Sequence, residues 1–81
     1  MVVDDDPLTA TVIAKLLINS DYTVETTTDS GGAFEKILDF RPDCIICDLM
    51  MPEVDGLNLL KRIREYADLK DVIFIMVSAK A

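Results

Sequence analysis

Histidine is absent from these 81 residues. That excludes imidazole metal ligands, an imidazole general base and a phosphohistidine within the chain. Basic residues are few: eight Lys and Arg stand against fifteen Asp and Glu, a formal net charge of −7. No basic stripe or run is present, so this segment is not expected to bind nucleic acid directly. No apolar stretch is long enough to span a bilayer, and no signal-peptide pattern opens the chain. The expectation is a cytoplasmic protein with no membrane association. Cysteine occurs twice, as Cys44 and Cys47. On a strand, residues three apart point to opposite faces, so the C-x-x-C spacing predicts two separate reduced thiols and no redox or metal pair. No repeat, linker or low-complexity segment interrupts the chain.

Apolar residues are well supplied. They make up 51% of the chain, which argues for a folded core despite the acidic charge. The length allows one domain at most, and such a chain buries only a little over ~60% of its extended surface.

The order of elements alternates. Met1 to Val3 reads as a short strand. Asp6 and Pro7 suit a helix start, and Leu8, Val12, Leu16 with Ile13 and Leu17 recur at helical spacing, so Pro7 to about Asn19 reads as a helix. Asn19-Ser20-Asp21 is a turn. Tyr22 to Thr27 reads as a partly exposed edge strand, rich in β-branched and aromatic residues. Asp29 or Ser30 caps a second helix with Phe34, Ile37 and Leu38 inward, ended by Arg41-Pro42. Cys44 to Cys47 is a strand and residues 51–56 a loop. A third helix places Leu57, Leu60, Ile63 and Ala67 inward and leaves Lys61, Arg62, Arg64 and Glu65 as a solvated face. Val72 to Val77 is apolar throughout, as in a strand covered on both sides. The pattern βαβαβαβ predicts an α/β fold with a parallel sheet and right-handed crossovers.

The chemistry lies where apolar strands end in acids. Ile45-Ile46-Cys47-Asp48 and Val2-Val3-Asp4-Asp5-Asp6 are two such junctions, and Ser78 follows a third apolar strand. A parallel sheet sets Asp4, Asp5, Asp48 and Ser78 along the carboxyl edge, where ligands gather in open α/β folds. Converging carboxylates repel unless a cation neutralises them, and hard oxygen donors suit Mg2+ or Mn2+. A carboxylate beside such an ion can act as a nucleophile toward phosphorus. Asp6 is read as a helix cap, and Glu53 and Asp55 as solvated loop acids.

Three motifs together resemble the receiver domain of two-component response regulators: Val2-Val3-Asp4-Asp5-Asp6-Pro7, then Asp48-Leu49-Met50-Met51-Pro52 with Asp55-Gly56, then Val77-Ser78-Ala79. The resemblance covers residues 1–81 and implies a flavodoxin-like sheet in the order 2-1-3-4. It implies that Asp48 is the phosphoacceptor and that Asp5 ligates magnesium directly. Asp4 acts as its neighbour, usually through water, and the backbone carbonyl of Met50 is a third protein ligand. Ser78 is the switch hydroxyl, and Pro52 and Gly56 shape the loop after the acceptor. The implied partner is a sensor histidine kinase or a histidine phosphotransfer protein. Family members catalyse their own phosphorylation and slow dephosphorylation. A haloacid-dehalogenase-type phosphatase also uses a strand-end aspartate with magnesium, but wants a second aspartate two residues on, where Met50 stands.

The family pattern continues with a further helix, strand and helix, and that strand carries a lysine for the acceptor site and a switch aromatic. Neither is matched here, and Lys80 stands at a different position. On this resemblance the chain reads as a partial receiver domain that lacks the final elements, with the strand Val72 to Val77 left without a neighbour. The expectation is a dimer or higher oligomer through that strand. An association module with no phosphoryl chemistry is the alternative reading.

Overall fold

Strands and helices alternate along the chain in a computed structural model that describes residues 1–29, 31–48 and 56–77. The elements are β1 (Val2–Val3), α1 (Pro7–Ile18), β2 (Thr26–Thr27), α2 (Ala33–Phe40), β3 (Cys44–Asp48), α3 (Gly56–Glu65), a 3-10 turn (Ala67–Leu69) and β4 (Ile73–Val77). All strand pairs are parallel, as the βαβ pattern predicts, and the order is β2-β1-β3-β4, as the family resemblance implies. Of the residues singled out above, Ser30, Met50, Pro52, Glu53, Asp55, Ser78 and Lys80 lie outside the described residues.

Register divides the side chains between two faces. Val3, Ile45 and Cys47 point to the face covered by α2 and α3, where they pack with Met1, Ala33, Ile37, Leu59, Ile63, Leu69 and Val72. Val2, Cys44 and Ile46 point to the opposite face, on which α1 lies against β1 and β2. The two sulfurs accordingly diverge, Cys47 buried and Cys44 half-buried, and both are free thiols.

Several expectations change. The strand Tyr22 to Thr27 shrinks to Thr26–Thr27. Its sole partner, β1, is two residues long, so the ladder stops at Val2↔Thr26 and Val3↔Thr27. Helix α1 buries Ala10 and Ala14, while Leu8, Val12 and Leu16 face outward. Small side chains let the helix backbone lie close to the sheet, and the leucine stripe is turned away by the same rotation. Helix α3 likewise buries Gly56, Leu59 and Ile63, leaving Leu57 exposed; Ala67 leaves the helix for the 3-10 turn, where it is exposed. Helix α2 is capped by Gly32 with no side-chain bond, in place of Asp29 or Ser30. The Asp29 carboxylate fills the space beside it: a Cβ on Gly32 would fall 2.7 Å from Asp29 Oδ2.

The basic face of α3 is also more engaged than a solvated stripe. Arg64 Nη1 donates to the carbonyls of Lys70 at 2.8 Å and Val72 at 2.6 Å, tying the helix to the approach of β4. Arg62 lies over the Phe34 ring at 4.2 Å from its centroid, linking α3 to α2.

Strand β4 is covered on one side only. Ile73, Ile75 and Val77 are 61%, 45% and 36% exposed, whereas Phe74 and Met76 on the α3 side are half-buried. An apolar run alone does not reveal that asymmetry. A groove lined by Leu17, Tyr22, Val24, Cys44, Ile46 and Ile73 runs along this open side.

Candidate functional site

The site is built where β1 and β3 end side by side. Their register, Val2↔Ile46 and Val3↔Cys47, sets Asp4 next to Asp48. Asp4 continues the ladder beyond β1, its N–H donating to Thr27 O at 3.1 Å. Its carboxylate Oδ1 accepts from the N–H of Asp6 at 2.9 Å. That bond turns the chain from strand to helix. Asp6 then caps α1: Oδ1 accepts from Leu8 N–H at 3.2 Å and Oδ2 from the Thr9 hydroxyl at 2.7 Å. Pro7 fills the first helical position, where no N–H is needed. Asp6 is therefore spent on the helix, as its sequence context predicts, and Asp4 and Asp5 are left for the site.

The structure brings Asp4, Asp5 and Asp48 together. One carboxylate oxygen from each lies within 4.8 Å of the others. Asp4 is 3% exposed, Asp48 half-buried and Asp5 open to solvent. Burial, joined by the negative charges of Asp48, Asp5 and Asp6, raises the Asp4 carboxyl above its ordinary range, and the Asp6 N–H only partly opposes this. The arrangement fits a hard divalent cation: three oxygen donors, no nitrogen or sulfur, and a buried carboxylate whose charged form is disfavoured by its neighbours.

Cys47 does not contribute a donor. Its thiol donates to the Asp48 carbonyl at 3.2 Å, and burial, with the charges of Asp48 and Asp4, pushes its pKa up to about 12. It stays protonated and serves the core beneath the acids.

One supporting group is not apparent from the sequence. Thr27 is buried, its hydroxyl accepting from Asp29 N–H and Lys36 Nζ, each at 3.2 Å, while its carbonyl holds the Asp4 N–H. The signal was its place at the end of β2, level with Val3; the strand's exposed, threonine-rich character hid it.

The family model described as the response regulator receiver domain matches residues 1–81. The chain belongs to that family. It is 42% identical to the two-component response regulator ORR3 of Oryza sativa subsp. indica, covering 99% of this chain and 62% of that protein. It is 35% identical to the response regulator MprA of Mycobacterium ulcerans, of which it covers 34%. Among solved structures, the chemotaxis response regulator CheY4 of Vibrio cholerae superposes with a TM-score of 0.90 at 29% identity, over 99% of this receiver and 67% of that chain. The N-terminal domain of a receiver protein from Methanoculleus marisnigri JR1 gives 0.89 at 30% identity, over 98% and 64%. The receiver sequence thus spans less than two thirds of the length of the curated relatives named here.

Proposed function

We propose that this receiver accepts a phosphoryl group on Asp48 in a divalent-cation-dependent transfer from a phosphohistidine. The observation that carries the reading is the meeting of Asp4, Asp5 and Asp48 oxygens within 4.8 Å at the carboxyl edge of β1 and β3, in a chain of this family. These 81 residues hold no histidine; the proposed donor is the phosphohistidine of a sensor histidine kinase or a histidine phosphotransfer protein. No helix among the described residues is long and apolar enough to cross a membrane. The reading places the chain in the cytoplasm.

Asp4, Asp5 and Asp48 would hold Mg2+ or Mn2+, with the Met50 carbonyl as a further proposed ligand outside the described residues. The bound ion would supply positive charge to the three carboxylates and to the phosphoryl oxygens. An Asp48 oxygen forms the new O–P bond as the donor's N–P bond breaks. The imidazole leaves with the electron pair and takes a proton from solvent. Asp4, raised by burial, is the acid most dependent on the cation for its ionised form. Ser78, also outside the described residues, is proposed as the hydroxyl that reports the phosphoryl state.

Intact mass after incubation with acetyl phosphate and magnesium tests the reading. One added phosphoryl group, lost with chelator and lost in Asp48→Ala, is the expected result. A folded sample that gains no mass would overturn phosphoacceptor chemistry in this chain and leave the association module as its description.

A further inference from the structure

Thr27 puts a hydroxyl on an apolar face of the sheet. The register Val3↔Thr27 turns both side chains toward α2, where Val3 packs with Ala33, Ile37 and Ile45. Thr27 is 3% exposed. A buried hydroxyl costs free energy unless it is bonded, and valine would fill nearly the same space without that cost. Thr27 Oγ1 accepts from Asp29 N–H and from Lys36 Nζ, each at 3.2 Å. Both donors belong to exposed residues, which water can serve. The hydroxyl is therefore not needed to satisfy them. Its two bonds instead fasten β2 to the turn before α2 and to α2 itself.

That fastening matters because the ladder it secures is short. β1 and β2 pair only at Val2↔Thr26 and Val3↔Thr27. Val2 N–H donates to Glu25 O at 2.9 Å, and Asp4 N–H closes the ladder on Thr27 O at 3.1 Å. Bonds at the end of so short a pairing open readily unless side chains hold the strand in place. Asp4 is set at two points: its N–H on the Thr27 carbonyl, and its Oδ1 on the Asp6 N–H at 2.9 Å. The first of these is only as fixed as Thr27.

We infer that Thr27 is a positioning residue for the cation site. Its hydroxyl, held by Lys36 and Asp29, fixes the carbonyl that sets Asp4 against Asp5 and Asp48. The inference rests on the reading of those three acids as a cation site. Thr27 does not itself hold the ion and acts through Asp4. Three carboxylates must keep their oxygens within reach of one ion, so a looser Asp4 backbone lowers affinity even though every ligand is still present.

Calorimetric titration of this chain with magnesium chloride tests the role. Thr27→Val is expected to weaken binding by about 10-fold or more, the usual scale for a partner that orients a metal ligand. Thr27→Ser, which keeps the acceptor, restores most of the affinity. Lys36→Met weakens binding in wild type and adds nothing to Thr27→Val, because both act through one hydroxyl. Ile63→Val, buried on α3, lowers stability and leaves magnesium affinity unchanged. In chelator, hydrogen exchange of Thr27→Val speeds at the Asp4 amide relative to the Ile46 amide on the central strand β3. A merely structural loss would speed both alike. A wild type that binds no magnesium would sink the cation site and this role together. Wild-type binding that Thr27→Val leaves unchanged, or that Ile63→Val weakens as much, would overturn the positioning role alone.

Discussion

The two faces of this sheet are held by different means. Under α2 and α3, branched and sulfur-bearing side chains interlock: Val3, Ile45 and Cys47 meet Ile37, Leu59 and Ile63, all at most 1% exposed. Under α1, contact is made by Ala10 and Ala14 against Val2, and beyond β1 the face opens over Ile46, Ile73 and Ile75. One face is stabilised by volume, the other by closeness of backbone. The difference teaches that an apolar side chain counts for stability only where something lies against it: Leu8 and Leu16 are large but exposed, while two alanines do the packing.

That contrast can be broken most forcefully at Ile45. Ile45→Ala on the closed face is expected to cost about 2–5 kcal/mol, enough to unfold much of a domain this small, as read from urea midpoints. The acidic edge, where the two faces meet, comes next. Magnesium at about 100 times its Kd is expected to raise stability by about 2.7 kcal/mol, followed by the thermal midpoint, and chelator is expected to reverse it.

The sign of the pH effect follows from Asp4. Its folded pKa lies above the ordinary 3.8, so the folded state holds the proton more tightly than the unfolded chain. In chelator, this group's contribution should be greatest below 3.8 and fall as pH rises through the folded value. Asp4→Asn keeps an oxygen for the Asp6 N–H and removes the charge. It is expected to raise the neutral-pH midpoint in chelator and to abolish most of the gain from magnesium. A lower midpoint in chelator would count against the charge account.

On the α1 face, Ala14→Leu should cost about 1–3 kcal/mol by forcing the helix off the sheet, whereas a loose face would accept it without loss. The smallest effect is expected at Leu16→Ala, within about 0.5 kcal/mol of wild type, since that side chain is exposed. A loss as large as that of Ile45→Ala would mean that Leu16 is packed against something in solution.

The parallel sheet and the gathering of the acids on one rim were legible in the residues because both follow from topology, whereas the strand order came through the family resemblance. Apolar runs joined by helical segments demand a parallel sheet, and a parallel sheet puts every strand end on one rim. Asp4, Asp5 and Asp48 therefore needed no packing detail to be found together. The helix faces were less legible. Leu8, Val12 and Leu16 repeat every four residues, but so do Ala10 and Ala14, and hydrophobicity favours the wrong set. Leu57 and Leu59 are equally hydrophobic, and the spacing Leu57, Leu60, Ile63 fits a helical stripe as well as the buried set Gly56, Leu59, Ile63 does. Thr27 escaped notice because its burial depends on Lys36 and Asp29 folding over it.

The sequence by itself determined the alternation of elements, the parallel sheet and the carboxyl-edge position of Asp4, Asp5 and Asp48. These depend on local periodicity and on chain connectivity. Tertiary structure alone decided the rotation of α1 and α3, the two-residue length of β2, the burial that lifts the Asp4 pKa and the exposure of one side of β4. Each of those is set by what lies across from a residue in space, and a linear pattern does not carry that neighbour.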